Sequence, residues 1–365
     1  MITYLAYIAL GFAGIQFINA FINLVFLQRI RHSEAPVNDL VSVLIPARNE
    51  ENNIRILLKC LQEISYKHLE ILVFNDQSTD KTASIVKEFA IQDNRIRLIE
   101  SEGLEKGWLG KNYACHFLAS EAKGDYYLFM DADVQIEKSI IEESVNRCKK
   151  YQLGLLSAFP KQIIQSLGEK ITVPLMNYIL LTLLPLIFIR VSPFTSHSAA
   201  NGQFMLFLAS VYKKMKPHEE FKSSPVEDIR ISRYLKRNKI KVACILGDNR
   251  ITCRMYHGFH EATHGFAKNT LMFFGNSSVL AILFWAFTTL GFIPVLFVNL
   301  DLLICYITTI LMTRMIVSLI SKQNLLENVL FIIPQQFVLI YIISKAIQLK
   351  RKQDYIWKGR KIYSS

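Results

Sequence analysis

Five short, strongly apolar runs recur between residues 41 and 160, and stretches of helical character separate them. Each run is rich in β-branched and aromatic residues and has the length of a buried strand. Strands that alternate with helices in this way are typical of βαβ units that share a parallel sheet. We therefore predict an α/β domain with a Rossmann-like, mostly parallel sheet, whose strands are VSVLIP (41–46), EILVFND (70–76), RIRLIE (95–100), YYLFMDAD (126–133) and GLLSAF (154–159).

Polar clusters follow three of these strands at the point where each strand ends. Pro46–Glu50 follows the first strand, Asn75–Asp80 the second, and Asp131–Asp133 the fourth. In open α/β sheets, ligands bind beyond the carboxyl ends of the strands. We therefore expect the three clusters to line a single binding site.

Asp131 and Asp133 are the candidates for metal binding. They flank Ala132 directly after an apolar strand, so both carboxylates project from its end. Two hard oxygen ligands suit Mg²⁺ or Mn²⁺, which would neutralise a diphosphate leaving group. An isolated Asp-Ala-Asp is more often an ordinary acidic turn, and only its context favours the metal.

The first two polar clusters allow a functional and a structural interpretation. Asp76 can accept a hydrogen bond from a nucleotide base, whereas Ser78–Asp80 also match a helix cap. Asn49 and Glu50 can present polar groups to a nucleotide or simply begin a helix.

Glu227 and Asp228 precede the helical sequence IRISRYLKR, where a carboxylate can act as a general base but also favours the start of a helix. The uncharged segment 171–189, which contains two prolines, lies between this pair and Asp131–Asp133. If it crossed a membrane, it would separate the two acidic groups. If they share one site, the segment must lie in the interface or turn back.

The first 28 residues carry no charged side chain, and a helix of this length is long enough to cross the apolar core of a bilayer. We predict an uncleaved transmembrane anchor. Arg29 and Arg31 follow it, and basic residues accumulate on the cytoplasmic side, so we expect the following domain to face the cytoplasm.

The six cysteines contain no CxxC pair and are expected to be reduced thiols.

The net charge of +12 raises the question of nucleic acid binding. Basic residues are scattered, however, and concentrate beside apolar segments, as in Arg29–Arg31 and Lys350–Lys352. This distribution favours anionic lipid headgroups as the partner and not nucleic acid.

Further apolar segments follow residue 275. Residues 276–300 and 329–343 are uncharged, and 302–320 contain only Arg314. They predict two spans and a third apolar segment, but three spans would place the basic C-terminal tail outside. Because we give that tail more weight, we predict that one segment, such as the one around Pro334, is re-entrant or interfacial.

Six ordered motifs resemble those of family 2 glycosyltransferases with the GT-A fold. The resemblance extends from residue 41 to about 275, and its motifs are PARNE, NDQSTD, GWLGKNYA, DAD, NGQFMLF and VEDIR. It implies that a UDP-sugar is the donor. The residues implied to hold the nucleotide are Pro46, Ala47, Arg48, Asn49, Glu50, Asp76, Lys111 and Asp131.

The same resemblance implies the chemistry of the site. Asp133, with Asp131, would bind Mn²⁺ or Mg²⁺, and Asp228, beside Glu227, would be the base of an inverting single displacement. The residues implied to border the donor sugar or the acceptor are Asn201, Gly202, Gln203 and Arg254.

Within this family, the chain is most similar to the bacterial carotenoid and hopanoid-associated glycosyltransferases. The similarity rests on the N-terminal anchor, GWLGK, Arg254-Met255-Tyr256 and Trp357-Lys358-Gly359-Arg360. It implies a lipid acceptor such as a carotenoid or another isoprenoid, with UDP-glucose as one possible donor. The QxxRW element of processive relatives is missing from the sequence, which argues against a polysaccharide synthase. Arg254 or Arg360 could substitute for it, but both could equally face phospholipid.

His260-Glu261-Ala262-Thr263-His264 matches the HExxH pattern of zinc proteases. A catalytic zinc site usually needs a third protein ligand, and the later carboxylates lie beyond apolar segments. We favour an amphipathic interfacial helix instead, with one face formed by Phe259, Ala262, Thr263, Phe266, Thr270 and Phe273. A non-catalytic membrane protein that binds lipid or sugar nucleotide is a third interpretation.

The predicted organisation places the catalytic GT-A domain in residues 38–255. An amphipathic helix follows at 256–275, then transmembrane segments at 276–349 and a basic tail at 350–365. We expect the apolar segment 171–189 and the helix at 256–274 to admit a lipid acceptor close to Asp228.

Overall fold

The computed structural model describes residues 1–32, 36–352, 355–357 and 360–362. The chain forms two compact units. The sheet unit contains Gln28–Lys161 and Ile187–Arg254, together with the described residues after 354. The helical unit contains Met1–Leu27, Gln162–Leu186 and the residues from Met255 to the end of the last helix.

The strands are numbered in chain order. They are β1 (Val41–Ala47), β2 (Leu69–Asn75), β3 (Ile96–Glu100), β4 (Tyr126–Met130), β5 (Val134–Ile136), β6 (Leu155–Phe159), β7 (Lys161–Gln162), β8 (Phe204–Leu208), β9 (Val242–Leu246), β10 (Ile251–Cys253), β11 (Tyr355–Trp357) and β12 (Arg360–Ile362).

The α-helices follow the same numbering, and a 3₁₀ helix covers Thr270–Phe274. They are α1 (Ile2–Val25), α2 (Glu51–Gln62), α3 (Thr82–Gln92), α4 (Gly110–Glu121), α5 (Ile140–Tyr151), α6 (Leu167–Thr172), α7 (Pro174–Leu183), α8 (Ile187–Val191), α9 (Ala209–Met215), α10 (Pro217–Glu220), α11 (Glu227–Arg237), α12 (Phe259–Asn269), α13 (Ser278–Leu290), α14 (Phe292–Leu296), α15 (Leu300–Ile320), α16 (Leu325–Leu330) and α17 (Ile332–Lys352).

The main sheet has the strand order β3-β2-β1-β4-β8-β6-β9. The five strands predicted from the apolar runs are all present, which confirms the α/β fold. β1 pairs in parallel with β2 and β4, and nearly all of its residues are buried, as expected for a strand covered on both faces. β4 ends at Met130, so Asp131–Asp133 lie just beyond it.

β8 is the exception to the parallel arrangement, because it pairs antiparallel with both β4 and β6. Its first residue, Phe204, lies opposite Met130, the last residue of β4. The residues that precede β8 therefore share an edge of the sheet with the residues that follow β4. Because β8 runs in the opposite direction, Asn201–Gln203 lie next to Asp131–Asp133.

Among the described residues, four helical stretches are long and apolar enough to cross a membrane: Ile2–Val25, Ser278–Leu296, Leu300–Ile320 and Ile332–Arg351. These lengths and compositions are compatible with a membrane protein. Pro334 lies in the first turn of α17, where its missing N–H costs no helical hydrogen bond, so the helix continues through it. The side of the membrane reached by each end stays a prediction.

Residues 171–189 do not form one long helix. The segment is divided among α6, α7 and α8, and the longest of these, α7, has 10 residues. Such a helix is about 15 Å long, roughly half the apolar thickness of a bilayer. Asn23 of α1 fixes the end of α7, since its Nδ2 donates to the carbonyls of Leu181 and Leu184, each at 3.0 Å. The interfacial position of the segment stays a prediction.

Arg314 is the single charged residue of the 302–320 segment and is 3% exposed. Its guanidinium lies 3.6 Å from the ring centroid of Tyr178 and donates to Oε1 of Gln335 at 2.9 Å. Charged side chains in apolar helices usually face the interior of a bundle in this way.

The basic C-terminal sequence begins inside α17, where Lys350 donates to the carbonyl of Asn276 at 2.6 Å. Trp357 and Arg360 belong to the β11–β12 hairpin. Lys358 and Gly359, between them, lie outside the described residues.

Candidate active site

The ammonium of Lys111 lies among carboxylates beyond the end of β4. Lys111 belongs to the first turn of α4, and its Nζ is 2.7 Å from Oδ1 and 2.8 Å from Oδ2 of Asp131. Oε1 of Glu227 is 4.0 Å from the same nitrogen. Burial alone would lower the pKa of Lys111, but Asp131 and Glu227 together raise it above its ordinary value. The site therefore holds a fixed positive charge.

Glu227 and Asp228 are the first two residues of α11. Oδ2 of Asp228 accepts a hydrogen bond from the backbone N–H of Gly202 at 3.1 Å, and Oδ1 accepts one from Ile229 at 2.7 Å. Burial raises the pKa of Asp228, while these hydrogen bonds oppose the shift. Burial likewise raises the pKa of Glu227 to about 7, against the opposing charge of Lys111. The pair therefore binds protons more readily than two ordinary carboxylates.

Gly202 lies close to the Lys111 ammonium and the Glu227 carboxylate. A Cβ atom at this position would lie 3.2 Å from Nζ of Lys111 and 3.4 Å from Oε1 of Glu227. A side chain would therefore press against the Lys111 ammonium and reach the limit of ordinary contact with Glu227. The lack of a side chain lets the start of β8 approach α4 and α11 together.

Asp133 contacts Gln203, which precedes β8. Nε2 of Gln203 is 3.3 and 3.5 Å from the two carboxylate oxygens of Asp133 and 2.9 Å from Sγ of Cys253. Oε1 of Gln203 is buried and has no hydrogen-bond partner among the described residues. Burial, followed by the charge of Asp131, raises the pKa of Asp133 to about 6. The carboxylate oxygens of Asp131 and Asp133 are hard donors of the kind that Mg²⁺ and Mn²⁺ prefer, whereas Gln203 presents its amide nitrogen to Asp133.

The turns after β1 and β2 are bound to each other. Nη1 of Arg48 donates to the carbonyl of Asp76 at 2.6 Å and lies 3.9 Å from its carboxylate. The backbone N–H of Asn49 donates to Oγ of Ser78, and Thr79 donates its N–H to Oδ1 of Asn49. Asp76 is 2% exposed, so its carboxylate faces the protein in this conformation.

Asn112 is a site residue that the sequence analysis missed. Its buried side chain donates from Nδ2 to the carbonyls of Phe221, Lys222 and Ser224 at 2.9 to 3.3 Å. These bonds hold the loop that leads into α11, and therefore position Asp228. The available signal was its place in GKNYA, next to Lys111.

The structure brings most of the predicted site residues to this edge of the sheet. Lys111, Asp131, Glu227, Asp228 and Gly202 form one connected group. Of the other predicted residues, Asp133 contacts Gln203, and Asn201 donates its N–H to Oγ of Ser157. Arg254 directly follows Cys253, the last residue of β10. Pro46 and Ala47 belong to β1, so the turn after this strand consists of Arg48, Asn49 and Glu50.

The HExxH residues are arranged differently from a zinc site. His260 and Glu261 are exposed, and Oε2 of Glu261 accepts a hydrogen bond from the backbone N–H of His257 at 2.7 Å. Glu261 thus stabilises the start of α12. Across the described residues, no three His, Cys, Asp or Glu side chains gather in a group that could hold a metal ion. The protease interpretation is not favoured.

Known proteins resemble this chain in sequence. Residues 42–215 match the family model Glycosyl transferase family 2. A 4,4'-diaponeurosporenoate glycosyltransferase of Staphylococcus haemolyticus (strain JCSC1435) is 28% identical over 240 residues, covering 65% of this chain and 62% of that protein. The protein of the same name from Staphylococcus aureus (strain USA300) is 26% identical, covering 69% of this chain and 67% of its own. The match thus spans less than two thirds of the first relative.

A solved structure shares the fold. The mannosyltransferase PcManGT from Pyrobaculum calidifontis, in complex with GDP-Man and Mn²⁺, has a TM-score of 0.55 and 14% sequence identity, covering 96% of this chain and 100% of that one. At this identity the likeness concerns the fold alone. The chain therefore carries a glycosyl transferase family 2 domain in residues 42–215, built on the GT-A fold.

Proposed function

We propose that this protein is an inverting glycosyltransferase that moves a sugar from a UDP-sugar to a lipid acceptor at the cytoplasmic face of a membrane. The observation that carries the proposal is the contact of one ammonium, Lys111, with Asp131 and Glu227, beside the Asp228 carboxylate. This arrangement combines a charge for a leaving diphosphate with a base for the attacking group.

In this proposal the donor nucleotide binds at the carboxyl ends of β1, β2 and β4. The Pro46–Glu50 segment and Asp76 hold the uridine, and Asp131 lies near the ribose and diphosphate. Access to the Asp76 carboxylate requires a side-chain movement, since Arg48 and the surrounding turn cover it in the structure described above. Lys111 then balances the charge of the diphosphate, and Asn201, Gly202 and Gln203 border the donor sugar.

Asp133 and Asp131 are the residues that would hold a divalent cation, with Gln203 as the neighbouring amide. When bound, Mn²⁺ or Mg²⁺ would neutralise negative charge on the diphosphate. Oε1 of Gln203 is buried and has no hydrogen-bond partner among the described residues, and a rotation of the amide by about 180° would turn this oxygen toward Asp133 and the cation.

Asp228 acts as the base in this proposal. It removes the proton of an acceptor hydroxyl as that oxygen bonds to the anomeric carbon, and the bond from that carbon to the diphosphate breaks, releasing UDP. The hydrogen bond from Gly202 orients its carboxylate, and the raised pKa makes it a stronger base than an exposed aspartate. An acceptor carboxylate would need no such base.

An apolar crevice in the helical unit supports a lipid acceptor. Its walls include Met176 and Ile179 of α7, Phe266 of α12, Phe273 of the 3₁₀ helix, and Leu339 of α17. These walls include the two segments that the sequence analysis assigns to the acceptor. The lining is apolar like a hydrocarbon chain, but in this conformation the crevice is too narrow for such a chain, so these side chains would have to move apart to admit one. The names of the staphylococcal relatives favour a carotenoid-type acceptor as the first to test.

The test uses the purified full-length protein in detergent with a panel of UDP-sugars and lipid acceptors. Formation of a glycolipid and release of UDP are measured together. Release of UDP with one sugar and one acceptor supports the proposal. Binding of donors without transfer or hydrolysis would instead favour a non-catalytic binding protein.

A further inference from the structure

Three cations of the sheet unit surround the ring of Tyr151. The guanidinium of Arg190 lies 4.0 Å from the ring centroid, that of Arg147 lies 5.3 Å from it, and Nζ of Lys150 lies 5.7 Å from it. We call Arg147, Lys150, Tyr151 and Arg190 the Tyr151 basic cluster. Cation–π contacts hold these side chains, but the ring removes none of their positive charge.

The charges of this cluster have no carboxylate partner among the residues that the structure describes. Within the described part of the chain, none of its three cations forms an ion pair, and Nε of Arg190 has no hydrogen-bond partner. Burial lowers the pKa of Arg147, and the charges of Arg190 and Arg31 lower it further. An anion from outside the chain would stabilise cations held so close together.

Arg147 is fixed in place by the chain that leaves the first apolar helix. Its guanidinium donates to the carbonyl of Arg29 at 3.0 Å and to Oε1 of Gln28 at 2.8 Å. Gln28 and Arg29 follow shortly after the candidate span Ile2–Val25. This is the sequence position at which a chain passes from the apolar core into the headgroup region.

Exposed apolar side chains follow Arg190 directly. Val191 is 57% exposed and Phe194 is 66% exposed. Cations next to exposed apolar side chains are typical of surfaces that lie on a bilayer, where the apolar groups enter the interface and the cations meet phosphates.

We propose that the Tyr151 basic cluster, with Val191 and Phe194, binds the phosphate headgroups of anionic phospholipids in the bilayer. The inference is independent of the donor site and of the reaction. It predicts that the sheet unit itself prefers an anionic lipid surface, in addition to any anchoring by the apolar helices.

The experiment compares phosphatidylglycerol with phosphatidylcholine of the same acyl chains, bound to the full-length protein in detergent and measured by native mass spectrometry. The test variant is Lys150→Gln with Arg190→Gln, which leaves the hydrogen bonds of Arg147 intact. The control is Lys81→Gln with Lys87→Gln. It also removes two positive charges, one from the residue that caps the N-terminus of α3 and one from within that helix. The thermal unfolding midpoint of each variant verifies folding.

The proposal predicts that the test variant binds phosphatidylglycerol about 25-fold more weakly than wild type, since each of the two removed cations contributes roughly a factor of five. Phosphatidylcholine binding and the control should change little. Unaltered phosphatidylglycerol binding by the test variant would overturn the proposal, as would an equal loss in the control. Displacement of the lipid by millimolar inorganic phosphate would also overturn it, because the site would then be one for free phosphate.

Discussion

Nζ of Lys111 lies 2.7 Å from Oδ1 of Asp131, so a lysine of α4 neutralises a carboxylate that follows β4. If this ammonium stabilises the departing diphosphate, Lys111→Met should lower kcat about 100- to 1000-fold, in the range found when one preorganised charge or donor is removed. Steady-state kinetics of UDP release measure the effect. Lys106→Met, at an exposed position shortly before α4, is the matched control, and equal losses in both variants would contradict the role of Lys111.

Glu227 makes stability depend on pH. Its pKa is about 7 in the folded protein and 4.5 in the unfolded chain, so the folded state favours its protonated form. Its contribution is fully present below about pH 4.5 and is lost as pH rises through 7, by up to about 3 kcal/mol.

Glu227→Gln keeps the neutral form at every pH. The unfolding midpoint of this variant, relative to wild type, should therefore be higher at pH 8 than at pH 5, as measured by thermal denaturation in detergent. Glu220→Gln, at an exposed position on α10, should show no such trend. A difference that shrinks as pH rises would contradict the assignment.

Gln203 should matter for metal affinity, because its amide contacts Asp133 and Cys253. Groups that orient a ligand typically change metal affinity 10- to 100-fold, so Gln203→Leu should weaken Mn²⁺ binding by about this factor. Electron paramagnetic resonance of free Mn²⁺ during a titration measures it without turnover. Gln92→Leu, at the exposed end of α3, should bind Mn²⁺ as wild type does, and an unaltered affinity in Gln203→Leu would rule out the positioning role.

The crevice offers a test of the acceptor. Ile179→Trp adds bulk at the place where the crevice would have to open for a hydrocarbon chain, so transfer to a lipid should fall at least about tenfold while donor hydrolysis is retained. Val279→Trp, at a position that is 65% exposed, adds the same bulk outside the crevice. Parallel losses of transfer and hydrolysis in Ile179→Trp would mean that the crevice does not receive the acceptor.

The strands and the ends of the strands were predictable from the sequence because the signals are local. A buried parallel strand requires an apolar run of five to seven residues, and the polar residues after it mark its end. This is why β1, β2 and β4, and the position of Asp131 beyond β4, follow from the sequence alone.

Contacts between distant parts of the chain were not predictable in the same way. Gln203 meets Asp133 across 70 residues because β8 runs antiparallel, and an isolated apolar run does not encode strand direction. Asn112 was missed for a related reason, since its partners are backbone carbonyls about 110 residues away and carry no residue-type signal.

In the membrane segments, too, local features were predictable from the sequence and contacts between distant residues were not. Length and lack of charge identify the helices that can span a bilayer, and Pro334 breaks none of them because it lies in a first turn. The break between α7 and α8 involves Asn23, which lies on a different helix and accepts the N–H of Leu186 at 2.7 Å.

Asp228 is the residue on which the proposed reaction depends most. The most direct measurement is mass spectrometry of the lipid fraction from cells that lack this protein and are supplied with wild type, Asp228→Asn or Glu261→Ala. For a hydroxyl acceptor, we predict a glycosylated lipid with wild type and with Glu261→Ala, and a loss of at least about 100-fold with Asp228→Asn. A lipid fraction that is identical in all these cells, or a glycolipid lost with Glu261→Ala but kept with Asp228→Asn, would contradict the account.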